Sequence, residues 1–287
     1  MTRTTATAIG FVAVLLWALL ALFTAGSAPV PPFLLNALTF AIGGAVGVVW
    51  VVARGRMAVL RMVPWTVYAF GTAGLFGYHA LYYSALRLAP PAEAGLIAYL
   101  WPLFIVLFSG LLPGERLRMG HIVGALVSFA GAALIVLRNG FSFEASATPG
   151  LILAGVCALT WSSYSVLSRR LGTTPTEAVA VFCVLTAILS IPPHLVFENT
   201  VWPSSAFGWV SVVALGLGPV GLAFYVWDIG VKKGDIQVLG VASYAAPLLS
   251  TLVLIVAGFA VSSWQLVAAA VLITVGAGIA ALASRRA

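Results

Sequence analysis

Apolar residues fall in ten runs of about 20, separated by short polar or charged breaks. About 20 helical residues cross a hydrocarbon core of about 30 Å, so each run is long enough to span a bilayer. The pattern predicts spans at 7–26, 33–53, 64–86, 92–112, 119–138, 149–170, 176–197, 206–229, 236–259 and 263–284. Alternating ten-residue segments, which a membrane β-barrel needs, do not occur. The fold class expected is an all-α polytopic membrane protein.

The runs also repeat. A shift of 144 positions places Trp17 on Trp161, Trp65 on Trp209, Gly74 on Gly218 and Gly77 on Gly221. One further residue of slip places Tyr99 on Tyr244, Pro102 on Pro247 and Gly131 on Gly276. This divides the chain into a first unit, 1–140, and a second, 149–287, each with five spans. An odd number of spans forces the second unit to cross the bilayer inverted. Inverted repeats are the architecture of secondary transporters, with the substrate site near the midplane between the copies. The recurrence of Trp17 at Trp161 also argues against a cleaved signal peptide over the first apolar run, despite Arg3 and the small residues Ala25 to Ala28.

Composition agrees, with 62% apolar and 7% charged residues. The net charge of +7 could suggest nucleic acid, but its placement points to topology. Arg3, Arg54, Arg56, Arg61, Arg116, Arg118, Arg169, Arg170, Lys232, Lys233, Arg285 and Arg286 fall on one side of the expected membrane. Arg87 and Arg138 fall on the other. The positive-inside rule then puts both termini in the cytoplasm of a bacterial inner-membrane protein. Cys157, Cys183 and the three histidines show no metal-ligand spacing, so neither metal nor cofactor is expected.

Proline and aromatic residues mark the candidate site. Pro102 and Pro247 sit mid-span in repeat-related helices, where each should kink its helix and release a carbonyl, making spans four and nine candidate gates. Beside them lie Tyr99, Trp101, Ser243 and Tyr244. Span three carries Tyr78, His79, Tyr82 and Tyr83, with Tyr78 and Tyr82 on one helical face. Trp17, Trp161, Tyr164 and Tyr225 add aromatic surface. Trp50, Trp65, Trp202, Trp209 and Trp264, near span ends, read as interfacial anchors. His79, an ionisable ring deep in a span, is the sharpest candidate for binding substrate or carrying a proton, against a neutral ring bonded to a neighbour. Asp228 reads as an end charge paired with Lys232 at i+4, or else as a partner for a substrate ammonium.

The segments Ala94-Gly95-Leu96-Ile97-Ala98-Tyr99-Leu100-Trp101-Pro102 and Gly114-Glu115-Arg116-Leu117, with the five-plus-five repeat, resemble the EamA-type branch of the drug/metabolite transporter superfamily. The nearest likeness is to its bacterial aromatic amino-acid exporters. The resemblance implies a ten-helix basket around a central cavity and export from cytoplasm to periplasm. The second copy has Ala260 where the first has Glu115, so the Gly-Glu-Arg signature occurs once. The first span and its mate lack the acid through which small multidrug relatives exchange protons, which disfavours antiport of lipophilic cations. What remains is gradient-driven export or coupling through His79.

The function expected is a monomeric secondary transporter for aromatic amino acids and related apolar metabolites, working by alternating access within the lipid bilayer. Aromatic rings would stack on Tyr78, Tyr82, Tyr99 and Trp101. His79, Ser243, Tyr244 and the freed carbonyls would meet the zwitterionic end. The alternative is a broad exporter of other amino acids, metabolites or drugs, or a nucleotide-sugar-type transporter. An intramembrane enzyme would need a nucleophile–base or metal cluster at depth, and neither HExxH nor GxSxG occurs.

Overall fold

The computed structural model describes residues 1–137, 145–258 and 261–285. Arg138, Ala260 and Arg286, and the end of the first expected unit at 140, lie outside them. The described residues are helical apart from their loops and turns. The first half holds α1 (Arg3–Trp17), α2 (Leu20–Gly26), α3 (Pro32–Ala53), α4 (Met57–Arg61), α5 (Trp65–Leu88), α6 (Pro91–Ala98), α7 (Trp101–Ser109) and α8 (Met119–Val136). The second holds α9 (Thr148–Arg170), α10 (Ala178–Phe197), α11 (Ala206–Leu217), a π-helical turn (Gly218–Leu222), α12 (Ala223–Lys233), α13 (Ile236–Ala242), α14 (Ala245–Val256) and α15 (Trp264–Arg285).

Among the described residues, nine helical segments are long and apolar enough to cross a membrane. The third expected span is not one of them. Its helix, α5, has the length at 24 residues, but Thr72, Tyr78, His79, Tyr82, Tyr83 and Arg87 dilute its apolar character.

Four of the expected continuous spans are interrupted. Span four breaks between Ala98 and Trp101, with Pro102 in the first turn of α7, and span nine breaks between Ala242 and Ala245, ahead of Pro247. Proline fits a helix's first turn, where its missing N–H has no intrahelical role, and is costly in the interior, although α10 carries Pro192 and Pro193 within it. The expected kinks are therefore full breaks. Span one divides after Trp17, where no proline stands, and span eight passes through the π-helical turn that contains Pro219.

Packing relates the halves. The most extensive contacts join α8 to α15, α3 to α10, α5 to α9 and α1 to α12. Under the 144-residue shift the first two are contacts between mates, and the last two exchange with each other. Close approach at these seams depends on glycine. A Cβ on Gly10 would lie 2.7 Å from the Gly230 Cα, and one on Gly124 would lie 2.5 Å from the Gly276 carbonyl. Small residues at such crossings let helix backbones meet where no hydrophobic force drives them together.

Ion pairs close the two ends differently. At the end bearing the N-terminus, buried Glu115 binds both Arg3, at 3.1 Å, and Arg169. Arg3 also reaches Asp235 at 3.2 Å, and Arg169 donates to the carbonyls of Val231 and Gly234. One carboxylate thus ties α1 to α9, the first helices of the two halves. At the other end Glu198 accepts from Arg87 at 2.8 Å, meets His194 at 3.0 Å, and caps the N-terminus of α3 through the N–H groups of Phe33 and Leu34.

Two predictions follow from these contacts. Gly124→Val should destabilise the protein by about 1–3 kcal/mol through overpacking. Gly278→Val, where an added Cβ meets nothing within 4 Å, is the matched control, read by thermal unfolding in detergent. Glu115→Ala, which leaves Arg169 only its two carbonyl acceptors, should lower stability by about 1–3 kcal/mol. Removing the half-exposed Arg56, which pairs at 2.8 Å with the buried Glu177, should cost about 1–3 kcal/mol by leaving that carboxylate without its partner.

Candidate functional site

The helix breaks converge on a cluster of aromatic rings. Trp17 ends α1, Trp101 opens α7, Trp161 lies mid-way along α9 and Trp227 lies on α12. All six pairings among these four indoles are ring contacts, from 5.1 Å between Trp17 and Trp227 to 6.4 Å between Trp101 and Trp161. Most are edge-to-face or tilted, the geometry the aromatic quadrupole favours.

Helix α5 supplies the adjoining wall. Tyr78 and Tyr82 stack in parallel at 6.1 Å, as their i, i+4 spacing requires, and Tyr78 touches Trp161 at 5.4 Å. His79 lies between Tyr78, Phe40 and Phe224, at 5.2, 5.0 and 6.1 Å. Tyr99, closing α6, is within Coulombic range of Tyr78 and Tyr82. Tyr164 backs Trp161 at 5.3 Å, in a space left by Gly74.

Hydrogen bonding separates walls from working groups. The Trp17 indole donates to the Pro219 carbonyl at 3.2 Å, and the Trp227 indole to the Ser165 hydroxyl at 3.1 Å. His79 Nδ1 bonds the Leu75 carbonyl at 2.7 Å, which leaves Nε2 as the ring's remaining polar atom. The hydroxyls of Tyr78, Tyr82, Tyr83 and Tyr99 and the indole N–H groups of Trp101 and Trp161 find no partner among the described residues, yet none is sealed from solvent. Buried polar groups in proteins are normally paired.

Eight residues expected at the site meet here: Trp17, Tyr78, His79, Tyr82, Tyr99, Trp101, Trp161 and Tyr164. Three do not join them. Tyr225 donates its hydroxyl to the Gly43 carbonyl at 3.1 Å and braces α12 on α3. Ser243 is fully buried and bonds back to the Leu239 carbonyl. Tyr244, also fully buried, accepts the Leu103 N–H at 3.1 Å. Of the two readings of Asp228, the ion pair is the one observed. Its oxygens are taken by Lys232 and the Thr176 hydroxyl, each at 2.7 Å.

Trp227, Phe224 and Phe40 also belong to the cage. Trp227 follows Tyr225 by two positions, roughly 200° around the helix, so the two face opposite ways. Two clefts on the outer face, about 500 Å³ beside Leu15 and Leu252 and about 330 Å³ beside Phe70 and Val156, are lined mainly by apolar side chains. Among the described residues no group of acidic, histidine or cysteine side chains could hold a metal.

Comparison with known proteins agrees with this geometry. The profile of the EamA-like transporter family matches twice, over residues 4–137 and 148–282. The aromatic amino acid exporter YddG of Ancylobacter novellus is 57% identical over the full length of both chains. YddG of Salmonella typhimurium is 27% identical, again over all of both chains. The pseudopaline exporter CntI of Pseudomonas aeruginosa is 30% identical over 49% of this chain and 48% of its own. A crystal structure at 57% identity superposes with a TM-score of 0.95 over 99% of each chain. The chain is a membrane transporter and belongs to the EamA-like transporter family.

Proposed function

We propose that this protein exports aromatic amino acids and related apolar metabolites across the bacterial inner membrane, from cytoplasm to periplasm, by alternating access. The observation that carries the reading is the cage itself: four mutually contacting indoles, a tyrosine pair and His79, with donors unpaired and no ion pair inside it among the described residues. Such a lining suits a substrate with an aromatic ring and a net-neutral polar end. A fixed charge would instead select ions. The name of the Ancylobacter relative, at 57% identity, supports the same substrate class.

Ten spans arranged as two inverted units, 1–140 and 149–287, provide the machine. The double family match and the exchange of helix contacts between the halves support that arrangement. With both termini in the cytoplasm, the Glu115 lattice closes the cytoplasmic end. The breaks before Pro102 and Pro247 let spans four and nine bend as gates while the half-bundles rock. His79, with Nε2 uncommitted, bonds the polar end of the substrate. The working unit is a monomer, since the cage is complete within one chain.

Counterflow of labelled phenylalanine or tryptophan in proteoliposomes tests the reading, with and without a pH gradient. Unlabelled aromatic amino acids should accelerate exchange, and nonaromatic ones should not. Trp101→Ala should raise KM by about tenfold, from the loss of ring contacts contributing about 0.5–1.5 kcal/mol each beyond area. His79→Ala should lower flux without changing membrane insertion. Exchange indifferent to aromatic substrates would sink the proposal, and unchanged flux in His79→Ala would remove that residue from the site.

A further inference from the structure

We infer that the break between α6 and α7 is the ammonium subsite of the cage, with the backbone carbonyls of Ala98 and Tyr99 as its acceptors. The inference rests on the reading of the cage as an aromatic amino-acid site. In an unbroken helix these carbonyls would accept from residues 102 and 103. Residue 102 is proline and has no N–H. The Leu103 N–H is drawn away by the Tyr244 hydroxyl at 3.1 Å. Among the described residues, no other donor reaches either oxygen.

Two carbonyls without donors inside a membrane bundle are costly unless a bound group satisfies them. They lie at the C-terminal end of α6, the negative end of its dipole, one turn ahead of Pro102. Asp228, the carboxylate on the helix that carries Trp227, has both oxygens occupied. An ammonium brings three donors, enough for the two carbonyls and one aromatic face.

The second half does not duplicate this arrangement. There the Ser243 carbonyl accepts the Ala246 N–H at 3.1 Å, although Pro247 follows as Pro102 does in the first half. Tyr244 is thereby a positioning residue. It lies across the repeat from the subsite and acts by holding the Leu103 N–H off the Tyr99 carbonyl.

Calorimetric binding to the purified full-length protein tests this with phenethylamine and its isostere phenethyl alcohol, which has a hydroxyl in place of the ammonium. The wild type should bind the amine more tightly than the alcohol. Pro102→Ala supplies an N–H to Ala98, and Tyr244→Phe frees the Leu103 N–H to close on Tyr99. Each should weaken the amine by about tenfold, the scale of one charge-assisted hydrogen bond, and leave the alcohol within about twofold. Tyr244→Phe removes one oxygen from a packed ring, so it serves if Pro102→Ala does not fold. Equal weakening of both ligands, an unchanged amine, or a wild type that does not prefer the amine overturns the subsite. Failure of the wild type to exchange labelled phenylalanine would count instead against the transport reading.

Discussion

A helix broken inside a bilayer has nowhere to send its released backbone groups except to other parts of the protein. This constraint organises the cage. Where α6 gives way to α7, the Leu103 N–H goes to the Tyr244 hydroxyl, and where span eight becomes π-helical, the Pro219 carbonyl takes the Trp17 indole. In both cases the partner comes from the opposite half of the chain. The breaks that shape the site are thus also the points where the halves hold each other, and movement of one half must disturb them.

The two-fold scaffold is used unequally. Of the exchanged contacts, α5 against α9 joins two continuous helices, while α1 against α12 joins a helix that ends at Trp17 to one that begins after the π-helical turn. The charged ends differ in the same sense. Glu115, Arg169 and Asp235 knit one end together, but the shift of 144 residues sets Ala25 and Pro91 opposite Arg169 and Asp235. No matching lattice can form from those positions. Under the alternating access proposed above, exact symmetry would make the two access states equal in energy, and such differences would favour one of them.

Much of this was legible in the sequence because it follows from spacing. The paired prolines stand at helix breaks, and Tyr78 and Tyr82 share one face, as the spacing predicts. What the sequence hid are the consequences of rotation about a helix and of contacts far apart in the chain. Tyr225 and Trp227 look equivalent until the helix is set in place, when one braces α3 and the other completes the indole cluster. The division of span one after Trp17 has no proline to announce it. Its visible correlate is the bond from that indole to a carbonyl 202 residues away.

Tyr99 and Tyr244 carry the last step of the argument. They are repeat mates, beside mated prolines, and symmetry alone assigns them one role. Yet the Tyr99 hydroxyl has no partner among the described residues, while the Tyr244 hydroxyl is spent, fully buried, on the backbone of the first half. Repeat mates therefore need not share a role: one tyrosine presents its ring to the cage, and its mate holds a backbone N–H of the other half.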